Sequence, residues 1–159
     1  MADAEARRKF MDERIDAFSE GIALVSADMP LRANLSVLDN IALIPQYRSN
    51  LKYDRAADQA WALLEAAGFQ DLHAKRDPAL SHAERCVAKL LRAVIGRPDI
   101  ILIDRPALQL PDVDYPPFLF ALLRKLEGHL NTCWLVDYQW NRVLYDAHPE
   151  LTEMTASLP

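Results

Sequence analysis

Pro78-Ala79-Leu80-Ser81-His82-Ala83-Glu84-Arg85-Cys86-Val87-Ala88-Lys89-Leu90-Leu91-Arg92-Ala93-Val94-Ile95-Gly96-Arg97-Pro98-Asp99-Ile100-Ile101-Leu102-Ile103-Asp104-Arg105-Pro106 carries the fold in a single run. It reads as turn, capped helix, turn and buried strand, with an acid at the strand's end. Ser81 and Glu84 stand in capping-box spacing: the Ser81 hydroxyl accepts from the Glu84 amide, and the Glu84 carboxylate reaches back to the Ser81 amide. Val87, Leu90, Leu91 and Val94 recur at helical spacing, so one face is apolar. Arg85, Lys89 and Arg92 fall off that face. Gly96 stops the helix and Pro98 bars its continuation. Ile100 to Ile103 is an unbroken aliphatic run, the kind of strand that is covered on both faces in a parallel sheet.

Outward from this stretch, helical and strand patterns alternate. Downstream, Pro116-Pro117 opens a helix with Phe118, Leu119, Leu122, Leu123 and Leu126 on one face and Gly128 at its end. Thr132 to Val136 reads as a second buried strand and Arg142 to Tyr145 as a further short one. Residues 147–159 are polar and proline-bounded, the pattern of a frayed tail. Upstream, Asp71 to Asp77 is a polar link. Asp54 is placed to cap a helix from Arg55 to Ala67, ended by Gly68, with Trp61 and Leu64 on a shared face. Ser36 caps a short helix through Val37, Leu38 and Ile41, which Pro45 is expected to end. Ile22 to Val25 is a short apolar strand, and residues 3–18 form a charged helix with a thin stripe of Phe10, Ile15 and Phe18. The order implies an α/β fold with a small, largely parallel sheet and an inserted helical lobe. The expected organisation is one domain over residues 1–159: an N-terminal helix (1–20), a helical segment (34–96), two strands with a helix between them (97–145) and a tail (146–159).

Composition narrows the function. The 51% of hydrophobic residues is enough for a packed core, and 159 residues make one domain of ordinary size. A net charge of −5 offers no basic stripe for nucleic acid. Cys86 and Cys133 are far apart and lie in apolar runs, as expected of buried reduced thiols. No run approaches the roughly 18 apolar residues that span a bilayer, so no direct membrane insertion is expected. His73, His82, His129 and His148 lack ligand spacing, so no metal site is expected. These features point to a cytoplasmic protein.

Order and spacing in the central stretch resemble the ATP-binding subunit of ABC transporters. Leu80-Ser81-His82-Ala83-Glu84-Arg85 sits where that family has its Leu-Ser-Gly-Gly signature, and Ile100-Ile101-Leu102-Ile103-Asp104 sits where it has the Walker B strand. Asn34-Leu35-Ser36-Val37-Leu38-Asp39-Asn40-Ile41-Ala42-Leu43 resembles the start of the family's helical subdomain. Ala62 to Phe69 resembles its Leu-Leu-x-x-Val-Gly-Leu segment, and Ile22 to Val25 the strand before the Q-loop. The resemblance implies part of a P-loop NTPase fold.

The residues that do chemistry in that family are the ones that differ here. Gly21, Gly68, Gly96 and Gly128 each stand alone, and no G-x-x-x-x-G-K-S/T occurs in the sequence, so a degenerate, N-terminally truncated relative without the phosphate cradle is expected. Ala27 falls at the Q-loop glutamine. His82 and Ala83 replace the signature glycines, and their Cβ atoms are expected to crowd a partner's phosphate, while Ser81 and the helix dipole leave a weak anion site open. Asp104 matches the acid that holds Mg²⁺. Arg105 replaces the catalytic glutamate and, being always charged, accepts no proton from water. Tyr138 falls at the switch histidine. Each position also has a plain structural reading: a cap for Ser81, an ion pair for Arg105.

The resulting expectation is a pseudo-ATPase with no catalytic residue and no cofactor. It would serve as an accessory or regulatory partner of a transporter, reaching the membrane through a permease, an ABC ATPase or a second copy of itself. A trans-acting subunit of a composite ATPase and a free-standing protein-binding module are the alternatives. In the resembled family the P-loop strand lies beside the Walker B strand. Its loss would expose sheet edges or apolar faces, to be covered by residues 3–18 or by a homodimer.

Overall fold

In the computed structural model three parallel strands lie in the order β1 (Ile22–Val25), β2 (Ile100–Asp104) and β3 (Thr132–Val136). The structure describes residues 4–17 and 21–148, apart from the side chains of residues 10 and 14–17. The stripe of Phe10, Ile15 and Phe18 and most of the tail lie outside the described residues. Ile22 faces Ile100 and Val25 faces Ile103 across one seam; Ile100 faces Thr132 and Asp104 faces Val136 across the other. β2 is therefore paired on both sides. The outer edges of the sheet belong to β1 and β3.

Side chains alternate across a sheet, so one register yields two faces. Val25, Ile101 and Ile103 face the main core, where they meet α4 (His82–Val94) through Val87, Leu90, Leu91 and Val94. Ile22, Leu24, Leu102, Trp134 and Val136 face the other way and pack with Met11 of α1 (Ala4–Ala17). The N-terminal helix thus covers an apolar sheet face, one of the two arrangements expected.

α2 (Val37–Ser49) and α3 (Tyr53–Ala67) are inserted between β1 and α4 and pack through Ile41, Ala56, Ala60, Leu63 and Leu64. Ser36 caps α2, its hydroxyl accepting from the Asp39 amide at 3.1 Å. Pro45 does not end this helix. It is buried mid-helix, the Gln46 side chain donates to the Ala42 carbonyl at 3.2 Å, and the chain stops only at Asn50 in the left-handed region. Asp54 is not the cap of α3 either: the helix starts at Tyr53, whose hydroxyl donates to Asp39 at 2.7 Å and ties the two helices together. Buried Asn40 accepts from the Arg32 amide and donates to the carbonyls of Arg32, Leu35 and Ser36, which fixes the loop ahead of α2.

α5 (Pro106–Gln109) and α6 (Pro117–Lys125) follow β2, and α6 buries Leu119, Phe120 and Leu122. Arg142 to Tyr145 forms no strand. Residues 139–144 are a 3-10 helix, because Asn141 and Tyr145 both donate to the Asp137 carboxylate, at 2.8 and 2.7 Å, and curl the chain back over the end of β3.

Candidate functional site

The carboxyl ends of parallel strands are where an α/β sheet leaves room for a ligand. Here Ser26 follows β1, Asp104 and Arg105 end β2, and Tyr138 lies two residues beyond β3. Asp104 is 1% exposed. Both of its oxygens accept from Arg7 at 2.9 Å; one also accepts from the Ser26 hydroxyl at 3.0 Å and from Arg105 Nε at 3.3 Å. Gln109 of α5 donates to the Asp104 carbonyl at 2.7 Å and to the Val25 carbonyl at 3.3 Å, closing the ends of both strands.

Arg105 is held in the left-handed region at φ 45°. Its guanidinium also lies 3.6 Å from Asp28. Burial alone would lower its pKa, but the Asp104 charge and a hydrogen bond with Tyr138 outweigh that, and the pKa is raised. Tyr138 stacks on Trp140 with centroids 4.2 Å apart. Asp104, Arg105 and Tyr138 are thus gathered at one place, while Ala27, next to Ser26 in sequence, is exposed and makes no described bond to them.

The start of α4 is separate. The capping box is complete: the Ser81 hydroxyl accepts from the Glu84 amide at 3.1 Å, and Glu84 accepts from the Ser81 amide at 2.9 Å. Lys75 donates to Glu84 at 2.7 Å; that bond first, then the Ser81 amide, holds the Glu84 carboxyl below its usual range. The Ala83 amide donates to Asp112 at 3.3 Å. Three of the amides that would face an anion are therefore already engaged by the chain's own oxygens. Leu80 and Ala83 are buried and His82 is exposed. Ala83 packs into the core, and His82 stands outward.

Arg7, Ser26, Gln109 and Asp112 are site residues that sequence reading missed. Ser26 carried a usable signal, since it follows β1 as Arg105 follows β2. Arg7 carried none: which face of a charged helix turns inward is decided by what it packs on.

An ABC transporter family description matches residues 3–108. The chain belongs to the ABC transporter ATP-binding family. It is 31% identical to the lipoprotein-releasing system ATP-binding protein LolD of Psychrobacter arcticus, over 67% of this chain and 46% of that protein. It is 30% identical to the lipopolysaccharide export system ATP-binding protein LptB of Escherichia coli (strain K12), over 54% of this chain and 36% of that one. Among solved structures, the ATP-binding cassette MJ0796, a dimer bound to ADP and Pi, superposes with a TM-score of 0.62 at 25% identity, over 82% of this chain and 58% of that one. The chain thus spans under half the length of these curated relatives. No described helix is long and apolar enough to cross a membrane. Among the described residues no cluster of three or more His, Cys, Asp or Glu is arranged to hold a metal ion.

Proposed function

We propose that this ABC-family chain is catalytically silent and acts as an accessory or regulatory protein, docking on a transporter component. The observation that carries this reading is the engagement of Asp104. In the family this acid serves a metal–nucleotide; here two guanidiniums and a hydroxyl take up its oxygens. A cation approaching Asp104 would meet Arg7 and Arg105 first, and like charges a few Å apart repel strongly in a low-dielectric pocket. The residues at this strand end therefore do not fit a magnesium nucleotide. Arg105, in the place of the family's glutamate, offers no lone pair to water. The helical lobe, by contrast, is well formed: α2 is capped by Ser36, and α2 and α3 are packed and tied to each other. In this reading what the chain keeps is a protein-docking scaffold.

The engaged amides at the start of α4 count against the alternative of a composite ATPase, in which that helix would serve a partner's nucleotide in trans. The test is calorimetry and thermal shift of the purified chain with ATP and Mg²⁺ at millimolar concentration. No heat of binding and no shift are expected. Saturable binding, or ATPase activity on mixing with a candidate partner ATPase, would overturn the reading.

A further inference from the structure

α1 reaches the sheet through two described side chains one helical turn apart. Arg7 donates from the single nitrogen Nη1 to both oxygens of Asp104, and Met11, 6% exposed, sits against Leu102 and Val136, with Ile22, Leu24 and Trp134 around it. Positions i and i+4 share a helix face. One face of α1 therefore presents a cation and an apolar knob to an anion and an apolar patch. Glu5, Arg8, Lys9, Asp12 and Glu13 are exposed. Among the described side chains, Arg7 and Met11 make these contacts, Ala6 is half-buried, and the charged residues named above lie on the exposed side.

The attachment is incomplete in its polar detail. Arg7 Nε is buried without a hydrogen-bond partner, and so is Oε1 of Gln109, whose amide nitrogen donates to the Asp104 carbonyl. Detachment would leave the Asp104 carboxylate next to Arg105 and Ser26, still partly neutralised, and would bare a small apolar patch beside it. The sheet would remain closed on its main face by α4.

We propose that this face of the sheet is a helix-docking site and that α1 is its detachable resident. The site reads a basic residue followed four positions later by an apolar one. The basic residue enters the Asp104 carboxylate and the apolar one enters the Leu102–Trp134–Val136 patch. This holds whether or not the chain binds nucleotide, because it rests on the contacts of α1 alone.

The test is hydrogen exchange on the full chain, wild type against Arg7→Gln. The amides of residues 4–17 are expected to exchange at least tenfold faster in the variant while those of α4 are unchanged. Equal protection of α1 in both proteins would overturn the proposal, and so would a loss of protection spread over α4. A second measurement uses a labelled peptide of residues 4–17 and fluorescence anisotropy. The peptide is expected to bind the full-length Arg7→Glu chain, whose own helix is repelled by Asp104, and to bind the wild type at least tenfold more weakly, because the resident helix competes at high effective concentration. Absent binding to the Arg7→Glu chain, or equal binding to both, would overturn it.

Discussion

Lys89 of α4 donates to the carbonyl oxygen of Ser26 at 3.0 Å from a side chain that is buried, on the helix face that the residue pattern marks as polar. One helical turn on, Arg92 donates to the carbonyls of Met29 and Pro30 at 2.9 and 2.8 Å. The polar side of α4 is thus a clamp on the loop that follows β1, the loop that delivers Ser26 to Asp104.

Lys89→Met tests how that clamp works. The Ser26 carbonyl also accepts from the Met29 amide at 3.2 Å, so it keeps a partner in the variant. Replacing a buried charge by an apolar chain of similar length is often neutral or stabilising, and stability at pH 7 is expected to fall by no more than about 1 kcal/mol. Burial, foremost, lowers the Lys89 pKa. Between that lowered value and the ordinary lysine value of about 10.4 the unfolded chain binds more protons, so wild-type stability gains a term that rises with pH. Denaturant melts across this alkaline window are expected to show the rise in the wild type and not in Lys89→Met.

Ser81→Ala removes a cap whose two halves are both made. The expected loss is about 1 kcal/mol, read from urea melts. Glu84→Gln probes the other half through pH. The folded pKa of Glu84 is lowered, so its contribution is complete above the ordinary glutamate value of about 4.3 and disappears as pH falls below it through the folded value. Wild type and Glu84→Gln are expected to differ at pH 7 and to converge at the acid end. A gap that persists there would assign the effect to packing.

Cys86 and Cys133 should be inert. Burial pushes both thiols up to about 12, and the thiolate is the reactive form. Native protein at pH 8 is expected to resist iodoacetamide for hours, while denatured protein labels at both positions, counted by mass spectrometry. Rapid labelling of the native chain would place a thiol in water.

Leu64 is fully buried in the main core, and Val143 is 71% exposed. Leu64→Ala is expected to cost about 2–5 kcal/mol. Val143→Ala is expected to stay within about 0.5 kcal/mol. Equal losses in thermal melts would contradict the placement of the core.

What the sequence determined by itself was local. The capping box of Ser81 and Glu84, the apolar face of α4 and the strand at Ile100 are set by interactions within a few residues, and all are found where the residues place them. Local rules also failed where tertiary contacts outweighed them. Pro45 lies inside a helix because burial and the following turn hold it there, and residues 139–144 coil because Asp137 collects two donors. The site was half legible. Asp104, Arg105 and Tyr138 could be named because the chain resembles the ABC family and they fall at its Walker B acid, glutamate and switch positions. Their partners could not, since Arg7 lies 97 residues from Asp104 along the chain and Ser26 lies 78. Only the tertiary structure decided that a helix of mixed charge turns Arg7 and Met11 inward. A buried carboxylate and an uncovered apolar face select those two side chains, and neither exists until the sheet has formed.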